Sequence, residues 1–110
     1  MNELEAQIRE AFAAYRKALE EALEAALERA KAKEALEEAV AQGLLSGEVQ
    51  GKNAEEREAR ARTLYAGLYA ALARAEERHQ RAKAALEAAR SRAEEVGLLV
   101  RLAVGERALS

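Results

Sequence analysis

The chain contains no cysteine, proline, tryptophan or aspartate, and all 20 of its acidic residues are glutamate. Without cysteine there is no disulfide framework, thiol nucleophile or thiolate-held metal. Without aspartate there is no EF-hand loop, and the single histidine, His79, supplies neither a zincin pair nor an ordinary zinc cage. No cofactor is expected. Aromatics are scarce: Phe12, Tyr15, Tyr65 and Tyr69 are the full set. No apolar run approaches the roughly 18 residues that span a bilayer, and no signal-peptide segment follows Met1, so a cytoplasmic protein without membrane contact is expected. The same absences, beside abundant Glu and Arg, match the composition of a thermophile protein.

What is present is Ala, Glu, Leu, Arg and Lys, the composition of long helices or coiled coil. At 110 residues the chain is expected to be one small helical domain. Three of its six glycines fall in GLLSGEVQGKN, residues 43–53, between two long stretches almost free of helix breakers. Charge divides at the same place. Residues 1–51 carry 6 Lys and Arg against 11 Glu, a balance of −5, and residues 52–110 carry 12 against 9, a balance of +3. The halves are electrostatic complements, as two helices packed on each other would be.

In the first half Leu4, Ile8, Phe12, Tyr15, Leu19, Leu23, Ala26, Ala30, Leu36 and Val40 recur at steps of three and four, broken by Lys33, and predict one broad apolar helical face. Beside it Ala11, Ala18, Ala25, Ala32 and Ala39 form a column at a spacing of seven. Gly43 is expected to close this helix in the left-handed conformation. In the second half Tyr65, Leu72, His79, Leu86, Ala93 and Val100 take heptad a positions, and Ala61, Leu68, Ala75, Ala82, Ala89 and Val96 take d. Asn53 is the expected N-cap, with Glu56 as its capping-box partner.

These signals predict an all-α fold: a helix over about 2–42, a hinge at 43–53, a helix over about 54–96 and an apolar tail at 97–110. A connection this short makes the pair an antiparallel two-helix coiled-coil hairpin. A hinge centred near residue 47 or 48 pairs residues whose numbers add to about 95, so Phe12 meets the Ala82 region, Ala30 meets Tyr65 and Tyr15 faces His79. Residue 2 then ends near residue 93. The segment Val96, Leu98, Leu99, Val100, Leu102 and Val104 overhangs the first helix, apolar nearly all round, and is expected to dimerise the chain into a helical bundle or to fold back on its own hairpin.

Three further constellations carry chemistry. Glu76 and His79 form the Glu-x-x-His half-motif of di-iron bundles, or His79 is a polar core residue that fixes register. Arg74, Arg78 and Arg81 line one helical face, either a phosphate track on DNA or a solvated face paired with glutamates. Tyr65 and Tyr69 lie one turn apart, as a binding platform or as core. No nucleophile–base pair is in view for Ser46, Thr63 or Ser91, so no enzymatic activity is expected.

The stretch Gly47–Ala59, GEVQGKNAEEREA, resembles a "GxIxGKNxxxRxA" pattern of small all-helical bacteriophage proteins from early replication and recombination regions, with Val49 and Gln50 departing from it. The resemblance covers the hinge and the start of the second helix, and the rest of the chain by layout. It implies a phage origin, action in the host cytoplasm, a tie to DNA metabolism, and Gly51, Lys52, Asn53 and Arg57 as the interaction residues. From all this the expected function is a non-enzymatic accessory protein that works by oligomerising, as a dimer, and by binding a protein partner. A DNA-binding protein and a virion assembly component are the alternatives.

Overall fold

A computed structural model describes residues 2–109, with side chains as far as Glu106. Three helices account for most of it: α1, Glu3–Ser46; α2, Ala54–Leu64; and α3, Ala66–Leu109. At ~1.5 Å per residue, α1 and α3 are each about 66 Å long. Among the described residues no helix is long and apolar enough to cross a membrane. The chain divides into two compact units, one of Met1–Glu24 with Gln80–Ser110, the other of Ala25–His79.

Local chemistry sets the ends of the elements. The Asn2 side chain accepts the Glu5 N–H at 2.8 Å, and Glu3 and Glu5 sit in the positive first turn of α1. α1 then runs one turn beyond the expected end at residue 42. Gly43 is a helical residue, and the left-handed glycine is Gly47, at φ 83°. Gly43 is small for another reason. A Cβ there would stand 2.7 Å from Val49 Cγ2 and 3.2 Å from Tyr65 Cζ, with the Tyr65 hydroxyl closer still.

The N-cap of α2 follows the sequence reading. Asn53 Oδ1 accepts the Glu56 N–H at 2.9 Å, and Glu56 Oε2 accepts from Lys52 N–H at 2.7 Å, one residue before the cap. Helix α2 ends at Tyr65 (φ −113°, ψ 33°), just after Thr63 donates its hydroxyl to the Ala59 carbonyl at 3.1 Å, a back-bond that bends helices.

Burial follows heptads in both long helices. Every a and d position read from the second half, Ala61 to Val100, is buried or half-buried. In α1 the covered positions step by four and three from Leu4 and Ile8 through Ala11, Tyr15, Ala18 and on to Leu36 and Gly43. The seam of α1 is therefore the alanine column with its flanking positions. The broad face expected from the larger residues lies to one side of it, with Phe12 51% and Leu23 65% exposed. Alanine at a helix contact lets the axes approach toward the low end, about 8 Å, of the usual range. That close approach is what turns the bulkier residues outward.

The partners across the seam also differ from the expected register. In the second unit Glu28 pairs with Arg78, and Gly43 lies against Tyr65. In the first, Tyr15 hydrogen-bonds Arg90 rather than facing His79, and Ile8 lines a recess with Val100. The numbers of these partners add to about 105–108, not 95. The cause is the connection. After Gly47, Val49 turns back onto Gly43 and Gly51 lies against Glu56 and Arg57, so the first turns of α2 pack on the connection itself. Arg60 Nε donates to the Glu48 carbonyl at 3.3 Å and Arg57 Nη1 to the Gly51 carbonyl at 3.2 Å. Three turns of α3 expected to overhang are thereby brought level with the start of α1.

Candidate functional site

The structure gathers Gly51, Lys52, Asn53 and Arg57 into one cluster and gives most of their groups a structural task. Gly51 is pressed against α2 so closely that a Cβ would stand 2.7 Å from the Arg57 backbone nitrogen. Its carbonyl receives the Arg57 guanidinium, Lys52 N–H binds Glu56, and Asn53 caps the helix. What is left to face a partner is the exposed Lys52 side chain and the half-buried Arg57.

Arg57 also edges an apolar recess of about 290 Å³, floored by Val40, Leu44, Val49, Ala61 and Tyr69. Val49 is buried there, and its N–H donates to the Gly43 carbonyl at 3.0 Å. The Arg62 guanidinium lies 4.7 Å from the centre of the Tyr69 ring and pairs with Glu58 at 3.1 Å. The two tyrosines thus have separate roles: Tyr65 fills the space over Gly43, and Tyr69 forms a recess wall under a cation.

The apolar tail divides in two. Val96 is buried and Val100 half-buried; Val100, Ala103 and Val104 line a recess of about 190 Å³ with Asn2, Leu4 and Ile8. The tail is covered along one side by the start of α1, which corrects the expected all-round overhang. Leu98, Leu99 and Leu102 remain exposed on its other sides.

The arginine face is engaged in the fold. Arg78 pairs with Glu28, and Arg81 also has an interaction partner, while Arg74 is exposed. Further along α3, Arg90 pairs with Glu87 at 3.2 Å and Arg92 with Glu95 at 3.4 Å. The Tyr15 hydroxyl, and after it the Glu87 carboxylate, hold the Arg90 guanidinium above its ordinary pKa, so it stays charged throughout the working range. All these pairs are at least partly open to water, which screens them, so they add little to stability. The pairing reduces the positive field offered to phosphates.

Glu76 is exposed and His79 half-buried. Among the described residues no group of three or more His or Glu side chains converges as a metal site.

The sequence reading missed the surface that the structure makes most of. Phe12, Leu19, Leu23 and Leu27 are all exposed along the outer side of α1. The signal was present: the alanine column, extended through Leu4, Ile8, Tyr15 and Leu36, keeps a stricter 4-3 alternation than the bulkier face beside it. Comparison of the chain with protein-family models, with curated proteins and with solved structures finds no match.

Proposed function

We propose that the chain is an antiparallel helical hairpin that works as an interaction module, binding a protein and assembling with itself rather than catalysing a reaction. Contacts in both units support the hairpin, since partner numbers across the seam add to nearly the same value in each. One observation carries the functional reading. Among the described residues the buried hydrophobic ones include five alanines, whereas eleven large apolar side chains, Leu45 among them at 88%, are exposed. A seam of alanines holds two helices together but leaves their leucines for something else to cover.

The likeness of the hinge to phage early-region proteins extends this reading to an accessory role in replication or recombination, within the host cytoplasm. The apolar recess beside Arg57 and the exposed Leu44 and Leu45 give a protein partner its foothold. A DNA-binding role for Arg74, Arg78 and Arg81 is the weaker reading, because Arg78 and Arg81 already have partners.

The test is a titration of labelled single- and double-stranded DNA at low and physiological salt, with light scattering on the same samples. The module reading expects an oligomer and no DNA binding at physiological salt. Micromolar binding that weakens steeply with salt would sink it in favour of the arginine face.

A further inference from the structure

The recess beside Arg57 lies wholly within the unit Ala25–His79. Its apolar walls come from α1 (Val40 and Leu44), the connection (Val49), α2 (Ala61) and α3 (Tyr69). At about 290 Å³ it falls just under the roughly 300–1,000 Å³ of sites that engulf a whole small molecule. It takes part of a larger one.

Two charged side chains edge this recess, and only one of them is compensated. The Glu58 carboxylate is held by the Arg62 guanidinium at 3.1 Å, and that guanidinium lies over the Tyr69 ring, so the two charges cancel beside the recess wall. Arg57 gives one N–H, from Nη1, to the neutral Gly51 carbonyl and pairs with no carboxylate among the described residues. A guanidinium carries several N–H donors, so Arg57 has others left for an acceptor. It is half-buried, with apolar walls beside it. What suits such a place is an anion on an apolar body. The carboxylate gains a charge-assisted hydrogen bond, and the body covers the walls. An ammonium or a second guanidinium would meet Arg57 as a like charge.

We propose that this recess binds an acidic–apolar segment of a protein partner, seating a leucine-sized side chain against Val40, Val49 and Tyr69 and a neighbouring carboxylate on Arg57. The proposal rests on the interaction-module reading and names the chemistry by which the module recognises its partner. The surface around the recess selects a peptide over a free small carboxylate. Leu45, next in sequence to the wall residue Leu44, is 88% exposed and is not part of the lining. Only an occupant that reaches past the rim covers it. One side chain and one carboxylate make a contact of modest strength, with a dissociation constant on the order of 0.1–1 mM for an isolated short peptide.

Amide NMR of the full chain makes the test, with acetyl-SELLES-amide, acetyl-SQLLQS-amide and N-acetyl-leucine as probes. The acidic peptide is expected to shift the amides of Val49, Arg57 and Ala61 and to bind about threefold tighter than the glutamine peptide. Arg57→Gln is expected to remove that difference. Leu44→Glu, at an exposed helix position, puts a carboxylate on the recess wall and is expected to weaken the acidic peptide at least about threefold, with helical circular dichroism unchanged. Equal affinity for the two peptides, or an acidic peptide that tolerates Leu44→Glu, overturns the carboxylate contact. N-acetyl-leucine binding as tightly as the acidic peptide overturns the peptide occupant and makes this a site for small carboxylates. Shifts confined to other residues, or none at millimolar peptide, overturn the site. They leave the interaction-module reading to its own test by DNA titration and light scattering.

Discussion

Two apolar stripes run along α1, side by side, and their fates are opposite. One is built mostly of alanine and is buried: Ala25 is 0% exposed. The other holds Phe12, Leu19 and Leu23 and is turned to water. Had hydrophobicity alone decided which face met α3, the second would have won. Close approach decides instead. An alanine or glycine in the seam lets the facing backbone come near, and a large residue opposite, as Tyr65 is to Gly43, fills the space it leaves.

The sharpest way to break this contrast is to exchange size between the stripes. Ala25→Leu forces three extra carbons into a site with no room and is expected to cost about 3 kcal/mol, at the upper end for overpacking. Leu23→Ala removes as many carbons from an exposed position two residues away and is expected to change stability by under about 0.5 kcal/mol. Urea unfolding of both variants, at one low protein concentration, reads the difference directly. Equal losses would mean that the stripes are interchangeable and the alanine seam has no special role.

Gly43 extends the buried stripe to its last position. It is helical, so backbone freedom is not its reason; the Tyr65 hydroxyl and Val49 leave no space for a methyl. Gly43→Ala is expected to destabilise the chain by about 2 kcal/mol, even though alanine is the better helix former by ~1 kcal/mol. Adding Tyr65→Phe removes the nearest obstructing atom and is expected to recover part of that loss. If the double variant is no more stable than Gly43→Ala alone, the ring is not what holds this end of the seam.

The second-half heptads were legible in the sequence, from Ala61 to Val100, because Leu, Tyr and Val mark the positions that are in fact covered. So was the cap at Asn53, whose box partner Glu56 sits three residues on. The α1 face was misread because the larger residues draw attention and alanine is equally at home inside and outside a helix pair. The register was misread for a different reason. Its arithmetic took the middle of GLLSGEVQGKN as the point of reversal, yet nothing in composition distinguishes Gly47, which ends α1, from Gly51, which lies against α2. That distinction depends on Arg57 and Arg60 reaching back to the carbonyls of Gly51 and Glu48, contacts made only after the chain has turned. For the four hinge candidates and the six apolar tail residues, how each group divides between buried and exposed was not legible, because it depends on contacts made only after the chain has folded.

Because the cap at Asn53 fixes where α2 begins, loosening it should blur the contrast without abolishing it. Asn53→Ala removes the acceptor for the Glu56 N–H and is expected to cost about 1 kcal/mol. Gly47→Ala, at φ 83°, forces a side chain into the left-handed region for a loss of about the same size, roughly 1 kcal/mol. Hydrogen exchange is the better probe here. Amides of Glu56 and Arg57 should lose protection in Asn53→Ala while those of the Ala25 region keep theirs, since the seam itself is intact. Loss of protection along all of α1 would tie the choice of stripe to the cap far more tightly than packing does.

The smallest effect lies at the edge of the seam, where Arg78 meets Glu28. Both side chains are nearly half exposed, so water and salt screen the pair and both chains give up rotamer freedom to form it. Arg78→Ala is expected to lower stability by only about 0.3 kcal/mol, most of it gone in 1 M salt. A double-mutant cycle with Glu28→Ala, run at low and high salt, isolates the pairwise part. A coupling well above 1 kcal/mol that survives salt would mean that charge complementarity between the acidic and basic halves, and not the fit of alanine against leucine, selects the buried stripe.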